Sequence, residues 1–302
     1  MLATRAEKML LIAGVGLVLA VGAVAGLAAF ILFNPFGPIT GIVLPDREPG
    51  AQEGVQRILI LGSDARAEEA SRSDTIVVTK VDEEGLGMLS VPRDTRTGIP
   101  GVGDDKVNHA FAYGGPELAA ETVSGLTGTE IEDYVVVSME GVPEIVDAMG
   151  GVEVEVPASI RSEGTVSGRT IALEPGRRTL DGEEALAYLR WRGDDRGDIG
   201  RVARQQDFLQ QMFHQALRPA NLTRLPELRR AMLENVQTNL SNSELFRLAS
   251  RVRSLQAEGV EQRTATIPGE EATLYSEPAG QDLSFWLPDE PGLREAVERT
   301  IR

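Results

Sequence analysis

The longest apolar segment of the chain is a run of 25 residues, Met9 to Phe33, that contains no charged side chain. A helix of this length, at about 1.5 Å per residue, exceeds the roughly 30 Å hydrocarbon core of a bilayer, so it can cross the bilayer with some tilt. The sequence therefore predicts one transmembrane helix. A cleaved signal peptide is the alternative, since small side chains occupy positions 23–25, but signal peptides carry an apolar run of only about 7–15 residues.

The charges around this run predict its orientation. Arg5 and Lys8 precede it, and charged residues resume only well beyond its end. By the positive-inside rule, residues 1–8 are expected to form a short cytoplasmic tail, with the rest of the chain outside a cell membrane that it crosses once. Residues 34–56 are rich in Pro and Gly, which is typical of a linker. Residues 57–302 contain no internal repeat or second linker, which predicts one extracytoplasmic domain.

The composition excludes several classes of protein and site. The formal net charge is −16, which argues against nucleic-acid binding because phosphate backbones need a basic surface. The absence of cysteine excludes disulfides, thiol nucleophiles and cysteine-type zinc sites. Two histidines are too few for a His-rich metal site. A bound metal is therefore expected to be a hard ion held by carboxylates, Mg²⁺ or Mn²⁺.

Short apolar runs alternate with longer helical periods from residue 57 onward. This order predicts an α/β domain with a central mixed sheet covered by helices on both sides. Strands are predicted at residues 57–61, 75–81, 87–91, 134–137, 152–156 and 262–267. Helices are predicted at residues 116–126, 142–149, 182–190, 201–217, 225–235, 243–255 and 292–301.

Three polar clusters border the predicted strands, at residues 62–66 (GSDAR), 72–75 (RSDT) and 92–95 (PRDT). Ligand sites of α/β sheets gather at strand ends, although each cluster taken alone is an ordinary turn. Asp64 and Asp74 offer carboxylates for a divalent cation, and Arg93 offers a guanidinium for phosphate.

Arginines are concentrated in a fourth cluster, residues 190–206. Only three of the 30 basic residues of the chain are lysines. Genomic base composition is expected to explain this ratio by itself, so the positions of the arginines are more informative than their number. Arg201 and Arg204 share one face of a predicted helix start with Gln205, where the helix dipole also favours an anion. Asp198, directly ahead, is expected to cap this helix. The alternative is a surface loop in which nearby aspartates neutralise the arginines.

The clusters together contain both parts of a pyrophosphate site, carboxylates for a cation and arginines for phosphate oxygens. Five motifs in this order resemble the LytR-CpsA-Psr family: LGSDAR, RSDT, SVPRDT, KVNHAFAYGG and RWRGDDRGDIGRVARQQ. The short tail, single span and outer domain resemble the same family. The resemblance covers residues 57–217 and extends more loosely to Pro268.

The resemblance implies a three-layer α/β/α sandwich with a central mixed sheet, preceded by one transmembrane helix, and a hydrophobic cavity for a polyprenyl tail. It also implies a phosphotransferase that uses Mg²⁺, with Mn²⁺ as the other candidate. Such an enzyme moves a glycopolymer from a polyprenyl-pyrophosphate carrier to a hydroxyl of peptidoglycan or another wall acceptor. Two alternatives stay open: a pyrophosphatase, in which water replaces the acceptor, and a non-enzymatic envelope regulator that binds lipid or glycan.

Site residues follow from the resemblance position by position. Asp64 and Asp74 match the magnesium-binding aspartates of the family. The residues that match those around the pyrophosphate are Arg93, Arg190, Arg192, Arg201, Arg204 and Gln205. The expected catalytic residues are Arg93, Arg201 and Asp198, the last as a base or an orienting group.

The remaining motif residues are expected to have structural roles. Asp94 is expected to organise the site, whereas Lys106 and Asn108 belong to a family motif whose role is taken to be structural. His109 is expected to be a packed or surface histidine rather than a catalytic one. An apolar stripe is interpreted as helix core, with the wall of a lipid cavity as its alternative; its members are Phe208, Leu209, Met212 and Phe213.

Overall fold

The computed structural model describes residues 55–63, 73–83, 85–163, 168–191, 234–260 and 263–302, together with positions 208, 211, 224, 227, 230 and 231. The predicted cytoplasmic tail, the predicted span and nearly all of the predicted linker lie outside these residues. Within the described ranges, no helix combines the length and the apolar character needed to cross a bilayer.

The strands are β1 (Gln56–Ser63), β2 (Ser73–Val81), β3 (Leu86–Ser90), β4 (Arg96–Ile99), β5 (Gly103–Lys106), β6 (Asp133–Ser138), β7 (Val152–Val156), β8 (Ile160–Glu163), β9 (Thr170–Leu173), β10 (Gly176–Leu180), β11 (Val236–Thr238), β12 (Arg263–Thr266), β13 (Gly269–Ser276) and β14 (Gln281–Pro288). The helices are α1 (His109–Thr127), α2 (Val142–Met149), α3 (Gly182–Arg190), α4 (Asn242–Ala257) and α5 (Glu290–Thr300), with a 3₁₀ turn at Met139–Gly141.

A six-stranded mixed sheet lies at the centre of the fold, in the order β11-β6-β1-β2-β3-β12. The pairs β1·β6 and β3·β12 are parallel, whereas β2 runs antiparallel to both β1 and β3. The mixed central sheet predicted from the sequence is therefore confirmed. Its directions also place the ends of β1, β3, β6 and β12 at one edge of the sheet, beside the beginning of β2.

Helices cover both faces of this sheet, and alternate residues of β1 are therefore buried on opposite sides. Leu59 and Leu61 pack in one apolar cluster with residues of α1 and α5. Ile58 and Ile60 pack in a second cluster with residues of α4. A strand buried on both faces reads as a continuous apolar run, which is why the predicted strand at 57–61 is correct.

A third apolar cluster joins α2 and α3 to the strands β7 to β10. Val152, Val154 and Val156 are buried in it while Glu155 is exposed, so the predicted strand with one wet face is confirmed. Helix α2 ends as predicted at Gly150, which adopts φ 80° and closes the helix C-terminus in a left-handed conformation.

Several short hairpins were not predicted: β4–β5, β8–β9 and β13–β14, as well as strand β10 opposite β7. Most of these strands are polar and partly exposed, so they lack the apolar run that predicts a buried strand. Strand β14 is different, because it contains Leu283 and the apolar segment 285–287. Helix α1 also begins earlier than predicted, at His109, because two helical segments meet across Gly114 and Gly115, whose backbones are not helical. Pro116 opens the second segment, and the predicted helix start is correct for that segment alone.

Candidate functional site

The predicted polar clusters at 72–75 and 92–95 lie at the same edge of the central sheet. Ser63, at the end of β1, pairs with Ser73 at the start of β2, and Ser90, at the end of β3, pairs with Val77. The chain leaving β3 continues along the beginning of β2, since Val91 N donates to Ile76 O at 2.9 Å. The backbone of Asp74 therefore lies at the edge from which the PRDT sequence emerges.

The PRDT turn (residues 92–95) is closed by its own last residue. Thr95 is fully buried, and its N and Oγ1 both donate to Pro92 O, at 2.9 and 2.6 Å. Two hydrogen bonds to one carbonyl close the turn tightly. Arg93 therefore stands on the outside of the turn with 53% of its side chain exposed, and its Nε lies 3.5 Å from Asp94 Oδ2. The turn presents a guanidinium to solvent with a carboxylate beside it.

The KVN turn (residues 106–108) binds the PRDT turn through three hydrogen bonds. Lys106 Nζ donates to Asp94 Oδ1 at 2.6 Å. The backbone N–H groups at the next two positions, 107 and 108, donate to Thr95 O at 2.8 Å and to Arg93 O at 3.2 Å. Asp94 thus lies between two cations. These contacts agree with the organising role expected for Asp94 and the structural roles expected for Lys106 and Asn108.

A buried carboxylate lies directly behind the KVN turn. Asp105 has no exposed surface. Its Oδ1 accepts from Lys106 N at 2.8 Å and from Ser276 Oγ at 3.3 Å. Its Oδ2 accepts from His109 Nδ1 and from Tyr113 Oη, both at 2.8 Å. An ionised carboxylate can only accept, so the bond to His109 places the ring proton on Nδ1.

Opposing effects act on the pKa of Asp105. Burial by itself raises the pKa, because a charge is costly away from water. The hydrogen bonds from His109, Tyr113 and the backbone of Lys106 favour the charged form and outweigh burial, so the pKa ends below its ordinary value. Asp105 was not predicted as a site residue, although its spacing to His109 and Tyr113, four and eight residues on, is a signal that the sequence contains.

The C-terminal hairpin β13–β14 braces the PRDT turn from another side. Trp286 N donates to Asp94 O at 2.8 Å, and Thr95 forms a bridge with Trp286. The ring of Phe285 lies 5.9 Å from Lys106 Nζ. The sequence of residues 225–302 contains no recognised motif, yet this hairpin contacts the PRDT motif.

The other predicted site residues are less completely described. Arg190 is the last residue of α3 and is exposed, and Trp191 after it packs partly buried against the third apolar cluster. The predicted site residues that lie outside the described part of the chain are Asp64, Arg192, Asp198, Arg201, Arg204 and Gln205. Among the residues that are described, no group of three or more His, Asp or Glu side chains is arranged to hold a metal ion. The Mg²⁺ site at Asp64 and Asp74 stays a prediction.

Comparison with known proteins agrees with this architecture. The curated polyisoprenyl-teichoic acid–peptidoglycan teichoic acid transferase TagU of Halalkalibacterium halodurans is 39% identical over 218 residues, which is 70% of this chain and 69% of TagU. The crystal structure of B. subtilis TagV superposes with a TM-score of 0.61 at 28% identity, over 82% of this chain and 96% of TagV. A structure of TagT bound to LI-WTA superposes with a TM-score of 0.58 at 29% identity, over 85% and 93% of the two chains.

The match to the family's sequence model covers most of the chain. It extends from residue 44 to residue 290 and so includes the PRDT turn, the KVN turn and the β13–β14 hairpin. The resemblance inferred from five short motifs is therefore confirmed over a region that reaches far beyond them. The chain belongs to the LytR_cpsA_psr (LytR-CpsA-Psr) family.

Proposed function

We propose that this protein is a phosphotransferase that moves a glycopolymer of the teichoic acid class from a polyprenyl-pyrophosphate carrier to a hydroxyl of peptidoglycan. The observation that carries the proposal is the PRDT turn at the edge of the sheet. In this turn the exposed Arg93 lies beside the carboxylate of Asp94, and the KVN turn binds both residues. The chain is 39% identical to a teichoic acid transferase.

Arg93 is assigned to the pyrophosphate. Its planar guanidinium offers paired donors that match phosphate oxygens, and 53% of its side chain is exposed. The further pyrophosphate ligands proposed are Arg190, Arg192, Arg201, Arg204 and Gln205. Positive groups aimed at the oxygens that gain charge during the reaction lower its barrier, and this is the role assigned to Arg93 and Arg201.

The reaction itself is a substitution at phosphorus. The acceptor hydroxyl oxygen bonds to the phosphorus next to the glycan, the bond from that phosphorus to the bridging oxygen breaks, and polyprenyl phosphate leaves. The hydroxyl proton passes to a base, for which Asp198 is the candidate. The product is a glycopolymer joined to the wall by a phosphodiester.

A divalent cation is proposed to be held by the carboxylates of Asp64 and Asp74. Asp74 belongs to the start of β2, and Asp64 follows the end of β1 in the sequence. Two carboxylates, completed by water and phosphate oxygens, form the kind of set in which Mg²⁺ is held. Mg²⁺ held by these carboxylates would supply a counter-charge for the pyrophosphate. The proposed span at residues 9–33 would keep the domain at the outer face of the cell membrane, where a lipid-linked substrate would also lie.

The proposal is tested with the full-length chain in detergent, supplied with Mg²⁺, a lipid-pyrophosphate-linked glycan and peptidoglycan. Phosphodiester-linked glycan is the expected product. Arg93→Ala is expected to lower its rate about 100-fold to 1,000-fold, the usual cost of losing one group that stabilises transition-state charge. Arg93→Lys is expected to recover only part of this loss, because an ammonium group lacks the paired planar donors of a guanidinium. Asp104→Asn serves as the matched control, since Asp104 is an exposed neighbour paired with Arg96.

The two alternatives produce different outcomes in the same assay. Release of lipid phosphate without any acceptor would identify a pyrophosphatase. Tight binding of the lipid-linked glycan without turnover would identify a regulator. Either outcome would overturn the transferase assignment.

A further inference from the structure

Asp105 lies behind the KVN turn and contacts both ends of it. Its carboxylate accepts from the backbone N of Lys106, where the turn begins, and from His109 Nδ1, directly after the turn ends. The peptide groups and side chain between these contacts are the donors to the PRDT turn. One buried carboxylate therefore fixes the segment that carries all three bonds toward Arg93, Asp94 and Thr95.

The KVN turn needs such a support, because it contains a polar atom that is not satisfied. Asn108 is buried, and within the described part of the chain its Oδ1 has no hydrogen-bond partner. A buried polar atom left in this state destabilises the folded protein. The four donors that converge on Asp105 hold the same segment from its buried side.

Asp105 also links the KVN turn to the C-terminal hairpin. Ser276, at the end of β13, donates to Asp105 Oδ1, and Trp286, on β14, donates through its backbone N to Asp94 O. Strand β13 of the hairpin thus contacts Asp105, and strand β14 contacts the PRDT turn. Movement of Asp105 is expected to be transmitted to Asp94 by both routes.

We propose that Asp105 is a positioning residue for Arg93: its buried carboxylate fixes the KVN turn, which in turn fixes the backbone of Arg93 and the carboxylate of Asp94. Asp105 does not touch the reacting groups. The proposal rests on the proposed function only in assigning the pyrophosphate to Arg93, and its geometric part is measurable without any turnover.

The test compares Asp105→Asn with Asp104→Asn in the full-length chain. Both variants remove one carboxylate from neighbouring positions of β5, but the Asp104 side chain is exposed and pairs with the exposed Arg96. Amide hydrogen exchange at positions 107 and 108 reports directly on the bonds to Thr95 and Arg93. Steady-state kinetics with the lipid-pyrophosphate-linked glycan and peptidoglycan give kcat and KM, which show whether Arg93 is still correctly positioned.

We expect Asp105→Asn to accelerate exchange at positions 107 and 108 while protection in β1 stays unchanged. We expect kcat to fall about 10-fold to 100-fold, with KM for the carrier within about 3-fold of wild type, because a misplaced group near the chemistry costs turnover more than binding. Asp104→Asn is expected to leave both readouts at wild-type values. Tyr113→Phe removes one donor to Asp105 from a half-exposed ring, and a smaller loss of kcat, about 3-fold, is expected.

Unchanged exchange at positions 107 and 108 in Asp105→Asn would overturn the proposal, as would a loss of thermal stability with kcat intact. If Asp105→Asn does not fold, Tyr113→Phe decides by the same two measurements. If the wild-type chain shows no transfer, the proposed function fails, and the exchange data alone decide whether Asp105 positions the PRDT turn.

Discussion

Lys106 Nζ lies 2.6 Å from Asp94 Oδ1, and the other oxygen of the same carboxylate faces the guanidinium of Arg93. Asp94 therefore divides its charge between two cations. Without the ammonium of Lys106, Asp94 would pair more strongly with Arg93 and compete with a phosphate for that group.

Lys106→Met is accordingly expected to lower kcat/KM for transfer about 10-fold to 100-fold, the range of a lost charged hydrogen bond. The steady-state rate with lipid-pyrophosphate-linked glycan measures this effect. Lys80→Met is the matched control, because Lys80 Nζ also pairs with a carboxylate, Asp82 Oδ2 at 2.5 Å, but near the other end of β2. The control should lose thermal stability and keep kcat/KM; equal kcat/KM in both variants would contradict the assignment.

The contribution of Asp105 to stability should depend on pH in the acid range. The folded pKa of Asp105 is below its ordinary value of 3.8, so the unfolded chain binds the proton more readily. The stabilisation is fully present above about pH 4 and is lost as the pH falls through the lower folded pKa. Urea unfolding of wild type and Asp105→Asn should differ most near neutral pH, with a difference that shrinks below about pH 4. A difference independent of pH would show that the charge of Asp105 is not what stabilises the fold.

Tyr134 should ionise only at strongly alkaline pH. Burial, followed by the hydrogen bond from its hydroxyl to Glu117 Oε1 at 2.7 Å, raises the pKa of Tyr134 to about 12. Because the folded state holds this proton more tightly than the unfolded chain, the associated stability is present below about pH 10 and is lost as the pH rises toward 12. Ultraviolet titration of wild type against Tyr134→Phe should reveal one late phenolate. If Tyr134→Phe instead removes a phenolate that forms near the ordinary tyrosine pKa of 10.0, this expectation is wrong.

Gly87 should tolerate no side chain, because β3 and α5 approach each other closely there. A Cβ at this position would overlap the backbone carbonyl of Thr300. Gly87→Ala is expected to destabilise the protein by about 1–3 kcal/mol, as overpacking in cores does. Gly125→Ala, in α1 where a Cβ would meet no atom within 4 Å, should be neutral or stabilising by up to about 1 kcal/mol. Thermal unfolding measures both, and equal melting temperatures would exclude the close approach.

The elements that were predicted correctly are those with a strong local pattern. The continuous apolar run at the start of β1, the alternation in β7 and the glycine end of α2 each come from residues close together in the sequence. The hairpin β13–β14 was missed for the opposite reason. Most of its residues are exposed or partly exposed, and its position depends on contacts with the distant PRDT turn.

The candidate site shows the same division. Arg93 was identified from its motif and its place after a predicted strand. Asp105 was missed although two of its partners, His109 and Tyr113, lie only four and eight residues on. Its contact with Ser276, 171 residues away in sequence, has no local pattern that could predict it. The predicted metal and late arginine ligands stay predictions.

The sequence by itself determined the α/β class, the strands and helices with strong patterns, and the motifs that place the chain in its family, because these depend on neighbouring residues. Only the tertiary structure decided that the PRDT turn, the KVN turn and the C-terminal hairpin join around Asp94 and Asp105. The physical reason is that a hydrogen bond between distant groups requires correct separation and direction, which the sheet register and the packing of the layers supply. The exposed guanidinium of Arg93 is thus held by contacts that no single segment specifies.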